Sequence, residues 1–489
     1  MLPMSDAQRR TRYNAAKKLH ARGDLVAARS AYADLMPSAP NMPELPFQLA
    51  RIAEAEGDLP QAATLFSKAE TLKPAEPLIL AEVIRTQAAL GHKDAALAAH
   101  DRLIALTPKA IKPRADKAWY LQRLGQFDAA EKIYRKLLRE HPDNGELYRV
   151  FLGTKTLARG DPMLREMARV WALPKLPDPQ RMHLGFAMAK GLNDAGQTEQ
   201  VFKVLNRANA IQRAHFPYDA ADHKAEVDAM LHAQARVPAP LSGGGDPRPV
   251  FVTGLPRSGT TLVERIVARH SDVVAGGEMA HALRLAYARW DGPAGMPALD
   301  TILEADLRGF AGDYLSAARN TAGPGAVVTD KSIQPWLILG LLRRALPGAR
   351  FVLVHRDPRD IALSIYRNYF SDGTHRYSNH LPDIARYVHQ FRRMVAHWRA
   401  VMPGVLHEVH YEDLVANPEP VSRALIDAAG LDWQDACLSP HEGGGNVRTL
   451  SLHQVRQPIY RTSAAAWEKH GDALRPFTDE LARLEQEDG

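Results

Sequence analysis

Residues 251–270 read FVTGLPRSGTTLVERIVARH. The apolar run that opens the stretch predicts a buried strand, GLPRSG reads as a glycine turn, and TTLVERIVARH carries apolar residues at helical spacing. In a strand–turn–helix arrangement the turn amides and the helix N-terminus point toward one spot and favour an anion there. The span almost spells GxxxxGK[ST], the pattern whose lysine reaches the outer phosphates of a triphosphate and whose hydroxyl holds magnesium. Here Thr260 stands at the lysine position, and a cation sits three residues earlier at Arg257. The turn therefore reads as a phosphate loop with its charge relocated, and triphosphate hydrolysis loses support.

The pattern continues downstream. PVFVTG, GAVVTD, ARFVLVHR and VLHEVHY are Val-rich runs of strand length, each followed by a stretch of helical spacing such as WLILGLLRRAL. This alternation predicts an α/β domain over 250–489 with a mostly parallel sheet covered by helices on both faces. In such a sheet, ligands bind beyond the carboxyl ends of the strands, which is where GLPRSGTT lies.

Upstream the sequence repeats. Gly23, Gly57, Gly91 and Gly125 stand 34 residues apart, and each is followed five positions later by an alanine: Ala28, Ala62, Ala96 and Ala130. Pro40, Pro74, Pro108 and Pro142 keep the same interval, and the ninth position after each glycine is Tyr32, Phe66, His100 or Tyr134. Glycine permits the turn between two antiparallel helices, alanine lets them approach, and proline stops the second helix. The period resembles that of the tetratricopeptide repeat, which implies an α-helical solenoid over 1–145 with a concave surface. Such a surface is either a platform for a peptide or partner protein or a rigid scaffold for its neighbour. The phase weakens after Pro142, so 146–235 reads as degenerate helical repeats capping the solenoid. RVPAPLSGGGDPRP, residues 236–249, reads as the linker.

PRSGTTL resembles the 5'-phosphosulfate loop of the sulfotransferases, which take a sulfo group from 3'-phosphoadenosine 5'-phosphosulfate. The resemblance implies donor contacts from Arg257, Ser258, Gly259, Thr260 and Thr261. A second family element, an arginine ending a strand and a serine eight residues later, matches Arg356 and Ser364 in ARFVLVHRDPRDIALSIYRNYF and implies a clamp on the 3'-phosphate. Two further pieces are similar to tyrosylprotein sulfotransferases and to bacterial proteins that join tetratricopeptide repeats to a sulfotransferase domain. Glu278, 21 residues after Arg257, matches the base that acts on the acceptor hydroxyl, and Lys331 in VVTDKSIQP matches a stabilising charge near the sulfonate. In VRTLSLHQVRQPIY the run SxxQVRxPIY resembles the loop over the donor, which implies a role for Ser451 at the sulfonate and for Gln454, Val455 and Arg456 along that loop. Tyr411 in HYEDLVANP matches a tyrosine near the donor. Asn368 and Ala466 depart from the animal enzymes, which carry basic residues at both places.

Composition narrows the classes. The 489 residues are 45% hydrophobic and 24% charged, with a formal net charge of +6 and no run of five basic residues, so nucleic acid is not expected as a partner. A lone cysteine, Cys437, excludes an intrachain disulfide framework and reads as a buried small hydrophobe. Neither a signal peptide nor a transmembrane run is expected, which points to the cytoplasm. The histidines form no HExxH array, so no metal site is expected, and magnesium is not required where protein cations stabilise the leaving charge. The leading reading is a sulfotransferase whose acceptor hydroxyl, a peptide tyrosine among the options, is not specified. A phosphoryl-transfer kinase with an unusual loop, or a repeat scaffold with a non-catalytic transferase domain, are the alternatives. A homodimer is compatible with such a repeat array.

Overall fold

The computed structural model describes residues 4–56, 58–243, 245–323, 325–442 and 465–488. The chain forms two compact units, Met1–Glu140 and His141–Gly489.

The first unit is built of antiparallel helix pairs: α1 (Asp6–Ala21) with α2 (Leu25–Leu35), α3 (Glu44–Ala55) with α4 (Leu59–Leu72), α5 (Pro77–Ala89) with α6 (Lys93–Leu106), and α7 (Ile111–Arg123) with α8 (Phe127–Glu140). The second helix of each pair starts at 25, 59, 93 and 127, which is the interval read from the glycines. Gly23, Gly91 and Gly125 hold φ of +82°, +78° and +80°, a left-handed turn that side chains resist; Gly57 lies outside the described residues. Asp24 and Asp58 then cap α2 and α4 by accepting from the amides of Ala27 and Gln61. Ala28, Ala62, Ala96 and Ala130 are buried, as are Tyr32, Phe66, His100 and Tyr134. The repeat periodicity is thus a packing periodicity.

The second unit begins with α9 (Gly145–Leu152), α10 (Pro162–Trp171), α11 (Asp178–Asp194), α12 (Thr198–His215) and α13 (Ala220–Ala233). A parallel sheet follows: β1 (Arg248–Gly254), β2 (Val273–Ala275), β3 (Val327–Asp330), β4 (Arg350–His355) and β5 (Leu406–His410), in the order β2-β3-β1-β4-β5. Its helices are α14 (Thr260–Val267), α15 (His281–Arg289), α16 (Glu304–Ala322), α17 (Leu339–Ala345), α18 (Pro358–Tyr366), α19 (Leu381–Val401), α20 (Tyr411–Ala416), α21 (Pro418–Ala428) and α22 (Arg475–Asp488). The four Val-rich runs are β1, β3, β4 and β5. β3 is buried throughout, and β1 and β4 nearly so, as expected of strands covered on both faces. Cys437 is fully buried in the cluster that includes Val250, Val252, Val263 and Leu414.

The helices of 146–235, expected to cap the solenoid, lie in the same compact unit as the sheet. Phe202 stacks on Tyr366 of α18 at 5.8 Å, and the Asn209 side-chain amide donates to the Tyr366 carbonyl at 3.0 Å. Gln234 donates to the Leu337 carbonyl at 2.7 Å, and Arg393 of α19 pairs with Asp228 of α13. α11 is buried on almost every side from Arg181 to Leu192. Among the described residues no helix is long and apolar enough to cross a membrane.

His100 occupies the aromatic position of its repeat. Its ring packs against Tyr120 at 5.6 Å, Nδ1 has no hydrogen-bond partner among the described residues, and burial pushes the imidazole down to about 4. The unfolded imidazole takes its proton near 6.5, so between these values the unfolded chain binds more protons and stability falls as pH falls. His100→Phe is therefore expected to raise the unfolding midpoint of the repeat unit. It should also abolish a pH-dependent loss of about 2 kcal/mol between pH 7 and 5, read by urea unfolding followed by circular dichroism at the two pH values.

Candidate functional site

The turn after β1 and the end of β4 form one half of the site. These strands are hydrogen-bonded neighbours, with Gly254 opposite Val354, so the segments leaving them are adjacent. Arg257 Nε donates to Ser364 Oγ at 2.9 Å across 107 residues of sequence, and Arg356 Nη1 donates to the Arg257 carbonyl at 3.1 Å. The Arg356 guanidinium lies 4.5 Å from the centre of the Tyr411 ring, just beyond β5. That ring covers Gly259, where φ is +108° and an added Cβ would lie 2.6 Å from a ring carbon. Arg257 itself holds φ of +69°, which costs a non-glycine residue on the order of 1–2 kcal/mol. Thr260, at the start of α14, is buried; Thr261 is half-buried. The Ser258 hydroxyl is buried with no hydrogen-bond partner among the described residues. An anion seated on this turn would meet that hydroxyl and the first amides of α14, which have no partner within the helix.

The other half lies at the ends of β2 and β3. Lys331 Nζ contacts Glu278 Oε1 at 2.7 Å; the lysine side chain is nearly buried and the glutamate side chain half exposed. The two strands remain stitched past their ends, since Gly276 N–H donates to the Thr329 carbonyl and Lys331 N–H to the Gly277 carbonyl. Asp330 is buried and accepts from the Tyr314 hydroxyl and the Ser332 amide; burial pushes its carboxyl up from the ordinary value.

Glu278 and Ser332 open into a cavity of about 700 Å³. Six rings line it: Tyr287 of α15, Tyr387 of α19, His375 and Tyr377 from the segment between α18 and α19, and Tyr218 and His223 around the start of α13; Glu226, Arg284 and Arg376 add charged groups. Tyr377 stacks on Tyr387 at 3.7 Å, and Tyr387 on His223 at 4.8 Å. Glu226 of α13 contacts His223 Nδ1 at 3.1 Å and accepts from the Tyr287 hydroxyl at 2.6 Å. Burial lowers the His375 imidazole and raises the Tyr218 and Tyr287 phenols, which keeps these groups neutral near pH 7.

The structure thus brings Arg257, Arg356, Ser364, Gly259 and Tyr411 into one cluster and Glu278 and Lys331 into another. Ser451, Gln454, Val455 and Arg456 lie outside the described residues. Sequence reasoning missed the α13 wall, Asp360 and Glu264. Asp360, buried beside Arg356, accepts from the amides of Ala465 and Trp467. Glu264 falls on the buried stripe of α14 with Thr260, Val263 and Val267, and a charge at a core position of an amphipathic helix was a readable signal. Among the described residues no group of three or more His, Cys, Asp or Glu is placed to hold a metal ion.

Comparison with known proteins matches residues 249–435 to the sulfotransferase family and residues 111–153 to the tetratricopeptide repeat. An uncharacterized protein of Aquifex aeolicus (strain VF5) is 26% identical over 434 residues, which cover 86% of this chain and 52% of that protein. Protein-tyrosine sulfotransferase 1 of Danio rerio is 25% identical over 240 residues, which cover 47% of this chain and 66% of that enzyme. The chain spans about half the length of the first and about two thirds of the second. A solved sulfotransferase domain from the Synechococcus PCC 7002 olefin synthase aligns with a TM-score of 0.34 at 19% identity, over 47% of this chain and 90% of that one.

The contact between Gly259 and Tyr411 makes the sheet domain sensitive to one methyl group. Gly259→Ala is expected to lower its stability by about 2 kcal/mol or more, from left-handed backbone strain and the ring clash together. Combining it with Tyr411→Ala should recover part of that loss, a non-additivity that a double-mutant cycle by urea unfolding would reveal.

Proposed function

We propose that the second unit transfers the sulfo group of 3'-phosphoadenosine 5'-phosphosulfate to an acceptor hydroxyl. The observation that carries this reading is the joint cluster of Arg257, Ser364 and Arg356 at the ends of β1 and β4. A donor with phosphate groups on both its 5' and 3' oxygens suits a turn of amides next to a guanidinium and a helix-borne hydroxyl. In this assignment the turn from Arg257 to Thr261 takes the 5'-phosphosulfate, and Arg356 with Ser364 takes the 3'-phosphate. The buried Ser258 hydroxyl, without a hydrogen-bond partner among the described residues, and the left-handed Gly259 fit an anion at that turn. Tyr411, Gln454, Val455 and Arg456 are assigned to the remaining donor contacts.

The transfer is in line. The acceptor oxygen bonds to sulfur as the bond between sulfur and the 5'-phosphate oxygen breaks, and the electron pair leaves on adenosine 3',5'-bisphosphate. The acceptor proton passes to Glu278, which faces the ring-lined cavity. Lys331 and Arg257 stabilise the charge that develops on the leaving oxygen, with Ser451 as a further hydrogen-bond donor, so that magnesium is not required. In the absence of donor Lys331 is held on Glu278; a sulfonate within its reach competes for the same ammonium and releases the carboxylate for proton transfer. A peptide tyrosine and a small-molecule hydroxyl are both within this reading of the acceptor. The repeat unit serves it as a platform for a peptide or partner protein.

Calorimetric titration with adenosine 3',5'-bisphosphate tests the donor assignment. Arg257→Ala and Arg356→Ala should each weaken binding about tenfold or more, the loss expected when a charge-assisted phosphate contact is removed. Glu278→Ala should keep that affinity while turnover falls by about 100-fold or more. No binding to the unmodified protein would overturn the donor, and weakened binding in Glu278→Ala would remove the residue from the role of base.

A further inference from the structure

We infer that Glu264 is the positioning residue that fixes the turn carrying Glu278 and ties it to the helix of the donor loop. The inference rests on the reading of Glu278 as base. Glu264 lies on α14, one helical turn beyond Thr260, and its side chain is buried against the end of β3. Its Oε1 accepts from the Gly277 amide at 2.9 Å and from the Thr329 hydroxyl at 3.0 Å. The Gly277 carbonyl accepts from the Lys331 amide at 2.9 Å, so Gly277 is held at both its N–H and its C=O. Gly276 is pressed against β3: an added Cβ would lie 2.3 Å from the Thr329 carbonyl oxygen. The Gly276–Gly277 pair therefore has no freedom to re-aim Glu278 while the Glu264 carboxylate stays in place.

Packing alone does not explain a carboxylate here. Its neighbours on the buried stripe of α14 are Val263, Ile266 and Val267, and a leucine at 264 would suit the same layer. An apolar side chain would leave the Gly277 amide and the Thr329 hydroxyl facing a dry interior, which is costly for each group. Burial pushes the Glu264 carboxyl up, and the charge of Lys331 opposes that push. Lys331 thus stands under the influence of three carboxylates: Glu264 on the donor-loop helix, Asp330 buried at the end of β3, and Glu278 half exposed in the cavity. Glu264 does not line that cavity and acts on the acceptor side only through the backbone it holds.

Two variants in the full chain separate positioning from plain structure. Glu264→Gln retains a carbonyl for the Gly277 amide and adds an N–H that Thr329 Oγ1 can accept, whereas Glu264→Ala retains neither. Hydrogen exchange of the peptide spanning 273–279 reports the turn. Titration with adenosine 3',5'-bisphosphate reports the donor site. Release of the bisphosphate from 3'-phosphoadenosine 5'-phosphosulfate, with 4-nitrophenol and a tyrosine-containing peptide as probe acceptors, reports turnover. In Glu264→Ala, exchange at 276–278 should rise about tenfold or more and kcat should fall about 10- to 100-fold, with bisphosphate affinity held within about threefold. Glu264→Gln should recover most of both. Unchanged exchange in Glu264→Ala, unchanged kcat, or a loss of bisphosphate affinity as large as that of Arg257→Ala would overturn the inference. If the unmodified protein binds no bisphosphate and releases none, it is the transferase reading that fails; the exchange result still decides whether Glu264 holds the turn.

Discussion

Everything at the site depends on β1 lying between β3 and β4 in a parallel sheet. Because all five strands run the same way, their carboxyl ends form a single row: the Glu278 turn beyond β2, Lys331 beyond β3, the Arg257 turn beyond β1, Arg356 beyond β4 and Tyr411 beyond β5. Residues separated by more than a hundred positions meet with no long loop to place them, as the hydrogen bond from Arg257 to Ser364 shows. The order of strands also divides the row. The arginines gather at β1 and β4, and the lysine–glutamate pair at β2 and β3, with the turn after β1 between the two groups. Such a division suits a reaction in which one substrate leaves as an anion and the other gives up a proton.

The row is held by buried polar groups that stabilise only in combination. Glu264, Asp330 and Lys331 are all buried, and each has defined partners: the Gly277 amide and Thr329 hydroxyl, the Tyr314 hydroxyl and Ser332 amide, and the Glu278 carboxylate. Removing one member leaves another charge or donor unpaired in a medium that solvates it poorly, so such networks fail at the level of the group. The strain at Arg257 belongs to the same account. Its left-handed backbone is kept by the bond from Arg356 to its own carbonyl and by the bond from its side chain to Ser364.

The strands of the sheet were legible because fully buried parallel strands read as valine runs, and the repeat helices because glycine, alanine and proline each leave a mark at a fixed interval. The three-residue β2 left no such mark; its pairing with β3 is set by the neighbouring strand and not by its own sequence. The cluster of Arg257, Arg356 and Ser364 was legible, since residues at and just beyond neighbouring strand ends keep their spacing in sequence. The α13 wall was not. Helical periodicity says which face of a helix is buried and is silent about what covers it, so Tyr218, His223 and Glu226 looked like any helical surface until the sheet domain stood against them. Glu264 was obscured for a related reason: an acidic residue in a short helix passes for a solvated charge unless its register against Val263 and Val267 is counted.

That wall changes how the unit around the sheet should be bounded. The matched sulfotransferase region begins at residue 249, yet the cavity that Glu278 faces is closed by residues 218–226. Glu226 binds the Tyr287 hydroxyl and contacts His223, while His223 stacks on Tyr387, so three elements of the second unit share one ring-lined surface. Burial keeps these phenols and the His375 imidazole uncharged near neutral pH, which leaves Glu226, Arg284 and Arg376 on the walls beside Glu278, itself paired with Lys331 at the ends of β2 and β3. The helices ahead of the sheet therefore supply rings and the Glu226 carboxylate to the cavity, and the strand ends supply Glu278 and Lys331. In the proposed transfer the fit of the acceptor falls to α13 and its neighbours, and its reactivity to the sheet.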